Sequence, residues 1–381
     1  MKNSRPIIVV VVLLILALVA FIIFKLPPDP KPTPDPVPDP DVVEDSIVTS
    51  FVFVGCNRLQ WNDTITDLTH SDASTANFDV LQNIFKRVAN SPNKVDYFFF
   101  LGDIVNGEAT NEKLDLELKT WTKDYESGKF TDFKSSGIKM IPVPGNHEML
   151  DQHEKPLAQT TTTWLKYMGK YMPANRDSIV GSSNNWDKMT YGFKDGNVAF
   201  IIINTDTYNK REERTRFPYD WVKNQVKKYR ADRTIDHIFV MGHRPFYVNC
   251  KRETSGKFGI AYPSDSDPVW TAFENDTVTS MLSAHVHQYQ RMQPNQKTYQ
   301  LIAGNGGSLL SGATFFGYTR INVWASGRIE MISEGYDAPN TYYDPVDNPN
   351  WTVRDSLLDM NWYRKGAKKA SKCECVTGEK K

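Results

Sequence analysis

The sequence lacks an excess of charge of either sign, since its 45 lysines and arginines balance 45 aspartates and glutamates. A protein dedicated to nucleic-acid duplexes usually carries a basic excess, so we expect no duplex binding. The sequence also lacks a cysteine framework, because its 381 residues include only four scattered cysteines. This number permits one disulfide bridge in an exported protein, and a bridge from Cys250 to Cys373 or to Cys375 stays open.

Long hydrophobic runs are missing everywhere except near the N-terminus, where residues 7–24 are all apolar. This run follows Lys2 and Arg5 and is long enough, as a helix, to approach the thickness of a bilayer core. We therefore predict an uncleaved transmembrane signal anchor over residues 1–26, with the bulk of the chain on the periplasmic or extracellular side. The alternative is a cleaved signal peptide and a secreted protein, for which Ala17 and Ala20 offer only a weak cleavage site.

The remaining chain divides by composition into three parts. Residues 27–45 are predicted to be a linker, because proline at nearly every second position favours extended polyproline structure. Residues 46–340 have the composition of a folded domain. Residues 341–381 form a C-terminal extension rich in Asn, Asp and Lys, part of which is expected to pack on the domain.

The domain has the pattern of an α/β protein. Short apolar or β-branched stretches of strand length recur, each ended by glycine or polar residues: IVTSFVFVG, VDYFFFLG, IKMIPVPG, VAFIIIN, HIFVMG, VTSMLSA and TYQLIAG. Apolar residues at helical spacing predict helices over residues 77–89, about 112–133 and 221–229. The order of these elements predicts a mixed-sheet sandwich with helices outside. Residues 152–195, with few apolar runs, are predicted to run over the surface and to help wall the site.

Chemically useful residues follow five of the predicted strands directly. They are Cys56 and Arg58, then Asp103, then Asn146, His147 and Glu148, then His243, and finally His285 and His287. In open α/β sheets, ligands bind beyond the carboxyl ends of strands, so these residues are expected to converge on one pocket. Each string alone is an ordinary polar turn. Their ordered appearance after successive strands favours a metal site.

The residue types fit a dinuclear hydrolytic site. The two oxygens of Asp103 can bridge two cations about 3.5–4 Å apart. The imidazoles of His243, His285 and His287 and the amide oxygen of Asn146 can bind these cations without cancelling their charge. Such metals polarise a phosphoryl oxygen and lower the pKa of bound water.

Two residues beside Asn146 are candidates for catalysis. His147 is placed to protonate a leaving oxygen or to stabilise the charge that forms on phosphate. Glu148 is expected to orient the imidazole of His147.

The strings GDIVN, PGNHE, FIIINTDTY, GHRPFY, SAHVH and LIAGNGG, in this order, resemble the calcineurin-like metallophosphoesterase superfamily, especially its purple-acid-phosphatase-like branch, over about Val48 to Ser333. The resemblance implies a four-layer α/β/β/α sandwich. It also implies two divalent or trivalent metal ions, with Zn, Fe or Mn expected, and hydrolysis of phosphoesters by a metal-bound hydroxide. By this resemblance Asp103 bridges the metals, and His147 assists catalysis. One metal then lies on Asn146, His243 and His285, and the other on His287.

The first motif departs from the family pattern, which usually has Asp-x-His where this chain has Cys56 and Arg58. A thiolate at Cys56 can replace the carboxylate and favours zinc or iron, whereas an inert cysteine that ends a core strand is the alternative. Arg58 cannot bind a cation; it either repels a metal or holds a substrate phosphate in a bidentate manner. Asn106 stands where purple acid phosphatases have a tyrosine, so no purple colour is expected from tyrosine.

Two classes of function follow. The leading hypothesis is a metal-dependent phosphoester hydrolase, a phosphatase or phosphodiesterase, that acts on small phosphorylated compounds outside the cytoplasm. The other is a degenerate, membrane-tethered binding or scaffold protein with an incomplete metal site, which only the altered first motif favours.

Overall fold

The computed structural model describes residues 45–59, 74–107, 110–178, 188–209, 214–215, 217–254, 256–260, 263–339, 344–364 and 372–379. The predicted anchor and nearly all of the linker, residues 1–44, lie outside these ranges and stay predictions. Within the ranges, no helix combines the length and apolar character that a membrane span needs.

Strands account for most of the secondary structure. The described strands are β1 Ile47–Val54, β2 Tyr97–Leu101, β3 Lys139–Val143, β4 Asp177–Ser178, β5 Tyr191–Asp195, β6 Val198–Ile203, β7 Tyr208–Asn209, β8 Arg214–Thr215, β9 His237–Gly242, β10 Tyr247–Val248, β11 Lys251–Arg252, β12 Ser280–Ser283, β13 Tyr289–Met292, β14 Tyr299–Ala303, β15 Phe315–Trp324, β16 Ile329–Asp337 and β17 Thr352–Leu357. The described helices are α1 Phe78–Ala89, α2 Asn111–Glu126, α3 Thr131–Ser135, α4 Asn146–Met149, α5 Thr160–Met168, α6 Tyr219–Ala231 and α7 Pro263–Asn275.

The predicted strands and helices are present, except that one predicted helix is divided into two. Each predicted strand forms, as β1, β2, β3, β6, β9, β12 and β14. Helix α1 begins after Asn77, whose side chain accepts a hydrogen bond from the backbone N–H of Val80. The single helix predicted over 112–133 is instead α2 and α3, because Gly128 has φ +101°, a left-handed conformation that ends a helix.

The strands form two main mixed sheets. The first has the order β17-β16-β15-β1-β2-β3, and the second has the order β13-β14-β12-β9-β6-β5-β4. Strands β1, β2 and β3 are parallel to one another, as are β6, β9, β12 and β14. The carboxyl ends within each parallel set therefore lie at one edge of their sheet.

Three hydrophobic clusters separate four layers and confirm the expected α/β/β/α sandwich. Alternation along β1 sends Val52 toward helices α1, α2 and α3 and sends Phe51 toward the second sheet. Between the sheets, the ring of Phe51 lies 5.2 Å from that of Phe200 and 5.0 Å from that of Phe239, in edge-on contacts. Beyond the second sheet, Val240 packs in the cluster that α6 and α7 cover.

The prediction for residues 152–195 is only partly right. Helix α5 lies within this segment and buries Trp164 and Met168 in the cluster under the first sheet. Strand β5 pairs with β6 at the end of the segment. Four consecutive threonines hide the i, i+4 spacing of the two buried side chains, so polar composition alone misplaced this helix on the surface.

The C-terminal extension contributes to the domain. Strand β17 pairs with β16 and extends the first sheet. Cys373 forms a disulfide with Cys250, with 5.9 Å between the Cα atoms, and Cys375 is a half-buried free thiol. Of the two pairings that the sequence left open, the structure contains the first.

Candidate metal centre

The loops after parallel strands of both sheets meet at one place. Cys56 follows β1, Asp103 follows β2 and His285 follows β12. All three have left-handed backbones, with φ of +59°, +55° and +61°. Such values are uncommon for residues other than glycine, and they concentrate at functional sites, where surrounding structure maintains the strain.

Two glycines let these loops approach one another closely. A Cβ atom on Gly145 would lie 2.3 Å from Oδ1 of Asp103. At Gly102, which has φ +84°, a Cβ atom would lie 2.5 Å from Nδ1 of His243. The glycines of the GD and GN strings are therefore required for the loops to meet.

Four acceptor atoms converge in what we call the His243 half, formed by Asp103, Asn146, His243 and His285. Nε2 of His243 lies 3.2 Å from Oδ1 of Asp103, 3.1 Å from Oδ1 of Asn146 and 3.1 Å from Nδ1 of His285. Nδ1 of His285 lies 3.0 Å from Oδ1 of Asn146.

Main-chain carbonyls fix the tautomers of both imidazoles. Nδ1 of His243 is 2.7 Å from the carbonyl oxygen of Leu101, and Nε2 of His285 is 2.9 Å from that of Lys257. A carbonyl oxygen only accepts, so it assigns the hydrogen to Nδ1 of His243; at Nε2 of His285 it lies nearer than the competing donor, Nη1 of Arg244 at 3.3 Å. With these hydrogens, the facing nitrogens of neutral rings present lone pairs. Four lone-pair atoms about 3 Å apart repel one another unless a cation lies among them. This half therefore has the donors and tautomers of a metal site.

The pKa shifts of Asp103, His243 and His285 agree with a metal site in the His243 half. Burial opposes ionisation of Asp103, but His243 and His147 hold the pKa of its carboxyl well below its usual value. For His243, burial lowers the pKa, yet the Asp103 carboxylate prevails and leaves it raised. Burial and the positive charge of Arg244 hold the pKa of His285 well below its usual value, so this ring is neutral. The Asp103 carboxylate favours a proton on His243, and a bound metal cation would replace that proton.

The Cys56 half, formed by Cys56, Asp103 and His287, lies on the other side of the same carboxylate. One ligand atom from each of these residues lies within 4.8 Å of the other two. Nδ1 of His287 is 2.7 Å from the carbonyl oxygen of Leu309, which leaves Nε2 as the lone-pair nitrogen. Cys56 is completely buried, and burial together with Asp103 raises the pKa of its thiol well above its usual value.

Arg58 lies against the Cys56 half. Its Nε is 3.8 Å from Oδ2 of Asp103 and, among the described residues, is buried without a hydrogen-bond partner. Burial and the charge of Arg58 lower the pKa of His287 to about 4 and hold that of His147 well below its usual value. A guanidinium therefore already supplies positive charge in this half.

The two oxygens of Asp103 face different halves. Oδ1 lies near His243 and also accepts the backbone N–H of His147 at 3.3 Å. Oδ2 faces Arg58, and it lies 4.0 Å from Nε2 of His147. The carboxylate thus has one oxygen toward His243 and the other toward Arg58, and two oxygens that face different neighbours suit a bridging ligand.

Glu148 has a position different from the one that the sequence led us to expect. Its buried carboxylate accepts backbone N–H groups of four residues that build the site loops: Asp103, Ile104, Val105 and Gly145, at 2.7–3.1 Å. Nδ1 of His147 pairs instead with the carbonyl oxygen of Asn106 at 2.7 Å. Glu148 joins the loop after β2 to the loop after β3, and the Asn106 carbonyl orients the imidazole.

Arg244 is a site residue that the sequence analysis did not identify. Its buried guanidinium pairs with Asp206, binds both oxygens of Glu154 at 2.8 Å, and lies 3.3 Å from Nε2 of His285. Asp206 follows β6, so its place after a strand was a usable signal. The carbonyls of Lys257 and Leu309 gave none, because every residue has one.

Known proteins resemble this chain in sequence pattern and in fold. A family model described as calcineurin-like phosphoesterase matches residues 62–289. No curated protein matches the sequence. A purple acid phosphatase, PPD1, from yellow lupin (Lupinus luteus) seeds is a similar solved structure, with 15% identity and a TM-score of 0.51. The likeness covers 82% of this chain and 53% of the lupin chain, so this chain spans about half the length of that protein.

Two further solved structures are similar. PhoD has 13% identity and a TM-score of 0.54 over 86% of this chain and 72% of that chain. A dimetal phosphatase from Danio rerio has 11% identity and a TM-score of 0.51 over 76% of this chain and 96% of that chain. At these identities the similar structures establish only the fold. The family is shown by the family model, because it matches more than half of the sequence. This chain therefore belongs to the calcineurin-like phosphoesterase family of hydrolytic, metal-dependent phosphoesterases.

Proposed function

We propose that this protein hydrolyses phosphoesters of small compounds at two metal ions held on either side of Asp103. The observation that carries the proposal is the convergence of four lone-pair atoms in the His243 half, on a carboxylate whose other oxygen faces the Cys56 half. A purely structural polar cluster would alternate donors with acceptors, whereas here the facing atoms are all acceptors when both rings are neutral.

The residues present fit the metals that the family implies. Imidazole, amide and carboxylate donors in the His243 half suit Zn, Fe or Mn, and the thiol in the Cys56 half favours Zn or Fe. Oδ1 of Asn106, buried and without a hydrogen-bond partner among the described residues, is a further oxygen in the loop that carries Asp103. When bound, the metals supply polarisation of a phosphoryl oxygen and activation of water.

Arg58 is the proposed contact for substrate phosphate. Its Nε is buried and has no hydrogen-bond partner among the described residues, so a phosphate oxygen would satisfy an otherwise costly donor. A guanidinium binds two phosphate oxygens in a fixed geometry, which positions the ester for attack.

His147 is the proposed proton donor to the leaving oxygen. The carbonyl of Asn106 accepts its Nδ1 hydrogen, and Nε2, which lies 4.0 Å from Oδ2 of Asp103, is the nitrogen proposed to exchange the proton. Burial and Arg58 disfavour the charged ring. A bound phosphate would offset the charge of Arg58 and favour protonation of Nε2.

A second candidate function is binding or scaffolding without turnover. The positive charge of Arg58 beside the Cys56 half favours it, because a guanidinium competes electrostatically with a metal there. Metal content distinguishes the candidates, since a scaffold needs none.

The test uses the full chain purified in detergent. Metal content is measured by mass spectrometry, and hydrolysis of p-nitrophenyl phosphate and of its diester is followed before chelation, after it, and after metals are restored. We expect turnover to disappear and return with metal, and Asp103→Asn to abolish both turnover and metal binding. Asp355→Asn, which breaks a pair with Arg291 away from the site, is the control and should keep its metal. A metal-free parent with no turnover under any condition would favour the scaffold.

We also propose that the N-terminal run anchors the protein in a membrane, with the domain outside the cytoplasm. The disulfide between Cys250 and Cys373 supports this location, because such bonds persist in oxidising compartments. Protease added to intact cells should digest an exported domain, and N-terminal sequencing should find residues 1–26 still attached. Removal of those residues would instead indicate secretion.

A further inference from the structure

A cavity of about 240 Å³ lies beside the metal centre, between the segment after α4 and the end of β6. Its lining includes Met149, Gln159, Thr160, Asn204 and Thr207, and none of the predicted metal ligands. One water in the liquid takes about 30 Å³, so the cavity has room for a small anion together with water.

Two buried side chains in this lining have unsatisfied polar atoms. Asn204 is 1% exposed; its Oδ1 accepts the backbone N–H of Asp206 at 3.1 Å, but its Nδ2 has no partner among the described residues. Thr207 is 8% exposed, and its Oγ1 also has no partner there. Leaving such groups unsatisfied costs stability, and each needs a physical explanation such as an ion or ligand.

Helix α5 begins at the same cavity. Its first internal hydrogen bond runs from the N–H of Thr163 to the carbonyl of Gln159 at 3.0 Å, so the N–H groups of residues 160–162 precede that bond. No side chain caps this end. The first turn of a nine-residue helix therefore presents donors and the positive end of the helix dipole to the cavity.

The charged groups around the cavity are compensated and leave the hydrogen-bond donors to decide what binds. Asp206 is the acidic residue in the described lining, and its carboxylate is compensated by Arg244 and by the hydroxyl of Thr205 at 2.7 Å. The described lining contains no lysine or arginine. Binding would therefore come from hydrogen-bond donors and the helix dipole, which suits an anion of low charge.

We propose that this cavity is a binding site for a small oxyanion, a phosphate or carboxylate group, held by Nδ2 of Asn204, the hydroxyl of Thr207 and the first-turn amides of α5. The site is distinct from the hydrolytic centre. It is connected to that centre through Asp206 and Arg244, whose guanidinium lies 3.3 Å from Nε2 of His285. The oxyanion is either a free ion or a second acidic group on the substrate.

The test compares two variants that each remove a buried, unpartnered hydroxyl without changing side-chain shape. Thr207→Val changes the cavity, and Thr319→Val is the matched control, because Thr319 is also buried and unpartnered but lies in β15 outside this lining. Binding of inorganic phosphate to the chelated full chain is measured by calorimetry. Both variants keep Arg58, so a difference between them reports the cavity alone.

We expect Thr207→Val to weaken phosphate binding about fivefold, the value of one hydrogen bond, with no loss of thermal stability in the absence of phosphate. Thr319→Val should bind like the parent. Asn204→Asp keeps the acceptor for Asp206 and replaces the donor with an acidic oxygen, so it should weaken binding as well. Equal binding by both threonine variants, or no binding by the parent, would overturn the proposal.

Activity measured with metals restored identifies the source of the oxyanion. If the group belongs to the substrate, Thr207→Val should raise KM for a phenyl phosphate carrying a ring carboxylate and leave KM for p-nitrophenyl phosphate unchanged. If it is a free ion, the two KM values should respond alike. Because the binding assay uses chelated protein, absence of hydrolysis would count against the proposed function and leave the cavity result intact.

Discussion

The two halves of the metal centre share Asp103 and differ in almost everything else. The His243 half consists of a carboxylate, an amide oxygen and two imidazoles whose other nitrogens lie against main-chain carbonyls. The Cys56 half offers a protonated thiol and one imidazole, with Arg58 beside them. The first arrangement lacks only a cation, whereas the second already contains positive charge.

This difference shows that a ligand set cannot be judged by donor atoms alone. Metal binding in the Cys56 half must displace the thiol proton and tolerate the charge of Arg58, while the His243 half gains relief from lone-pair repulsion. We therefore expect the His243 half to bind its metal more tightly. The following experiments test whether the two halves differ in metal affinity.

Loss of a ligand from the stronger half should have the largest effect. We expect His243→Ala to remove metal from its half and to lower kcat for p-nitrophenyl phosphate on the order of 10³-fold, because polarisation of the phosphoryl oxygen is lost. His237→Ala is the control, since His237 is also a buried histidine but pairs with Tyr363. Full metal content in His243→Ala would contradict the assignment.

Loss of the thiol should have a smaller and more local effect. Cys56→Ala is expected to lose the metal of the Cys56 half, keep the other, and reduce kcat about 10²-fold. Cys375→Ala removes the other free thiol and should leave both quantities unchanged. If Cys56→Ala retains the parent's metals and rate, Cys56 is an inert core residue.

Arg58 should affect substrate and metal in opposite directions. We expect Arg58→Ala to raise KM about tenfold through loss of the phosphate contact, and to tighten metal binding in the Cys56 half through loss of repulsion. Calorimetric metal titration and steady-state kinetics measure the two effects separately. Arg320→Lys is the control, because Arg320 also has a buried, unpartnered Nε but lies in β15. If Arg58→Ala weakened both substrate binding and metal binding, Arg58 would not compete with a metal in the Cys56 half.

The smallest effect should come from Glu154, which pairs with Arg244, whose guanidinium lies next to His285. Its side chain is 49% exposed, so the pair with Arg244 is screened by solvent. Glu154→Gln should weaken metal binding in the His243 half by about threefold or less, measured by competition with a chelator. A loss as large as that of His243→Ala would mean that Arg244 positions His285 far more strictly than this geometry indicates.

The fold was predictable where strand and helix patterns were continuous. Alternation along β1 and spacing along α1 identified the elements, and the order of strands indicated the sandwich. The division between α2 and α3 was missed because Gly128 acts through its φ angle. Helix α5 was missed because its buried residues lie among threonines. The chemical residues were found because each directly follows a strand, a position that the sequence displays.

The sequence by itself determined which side chains were available, since the strand pattern puts Asp103 and Asn146 after strands of the first sheet and His243 and His285 after strands of the second. Only the tertiary structure decided how they act. It assigned each oxygen of Asp103 to a different half, fixed the imidazole hydrogens with carbonyls, placed Arg58 beside the Cys56 half and paired Cys250 with Cys373. The physical reason is that carbonyls are identical in every residue, and the directions of side chains are set by packing between distant segments.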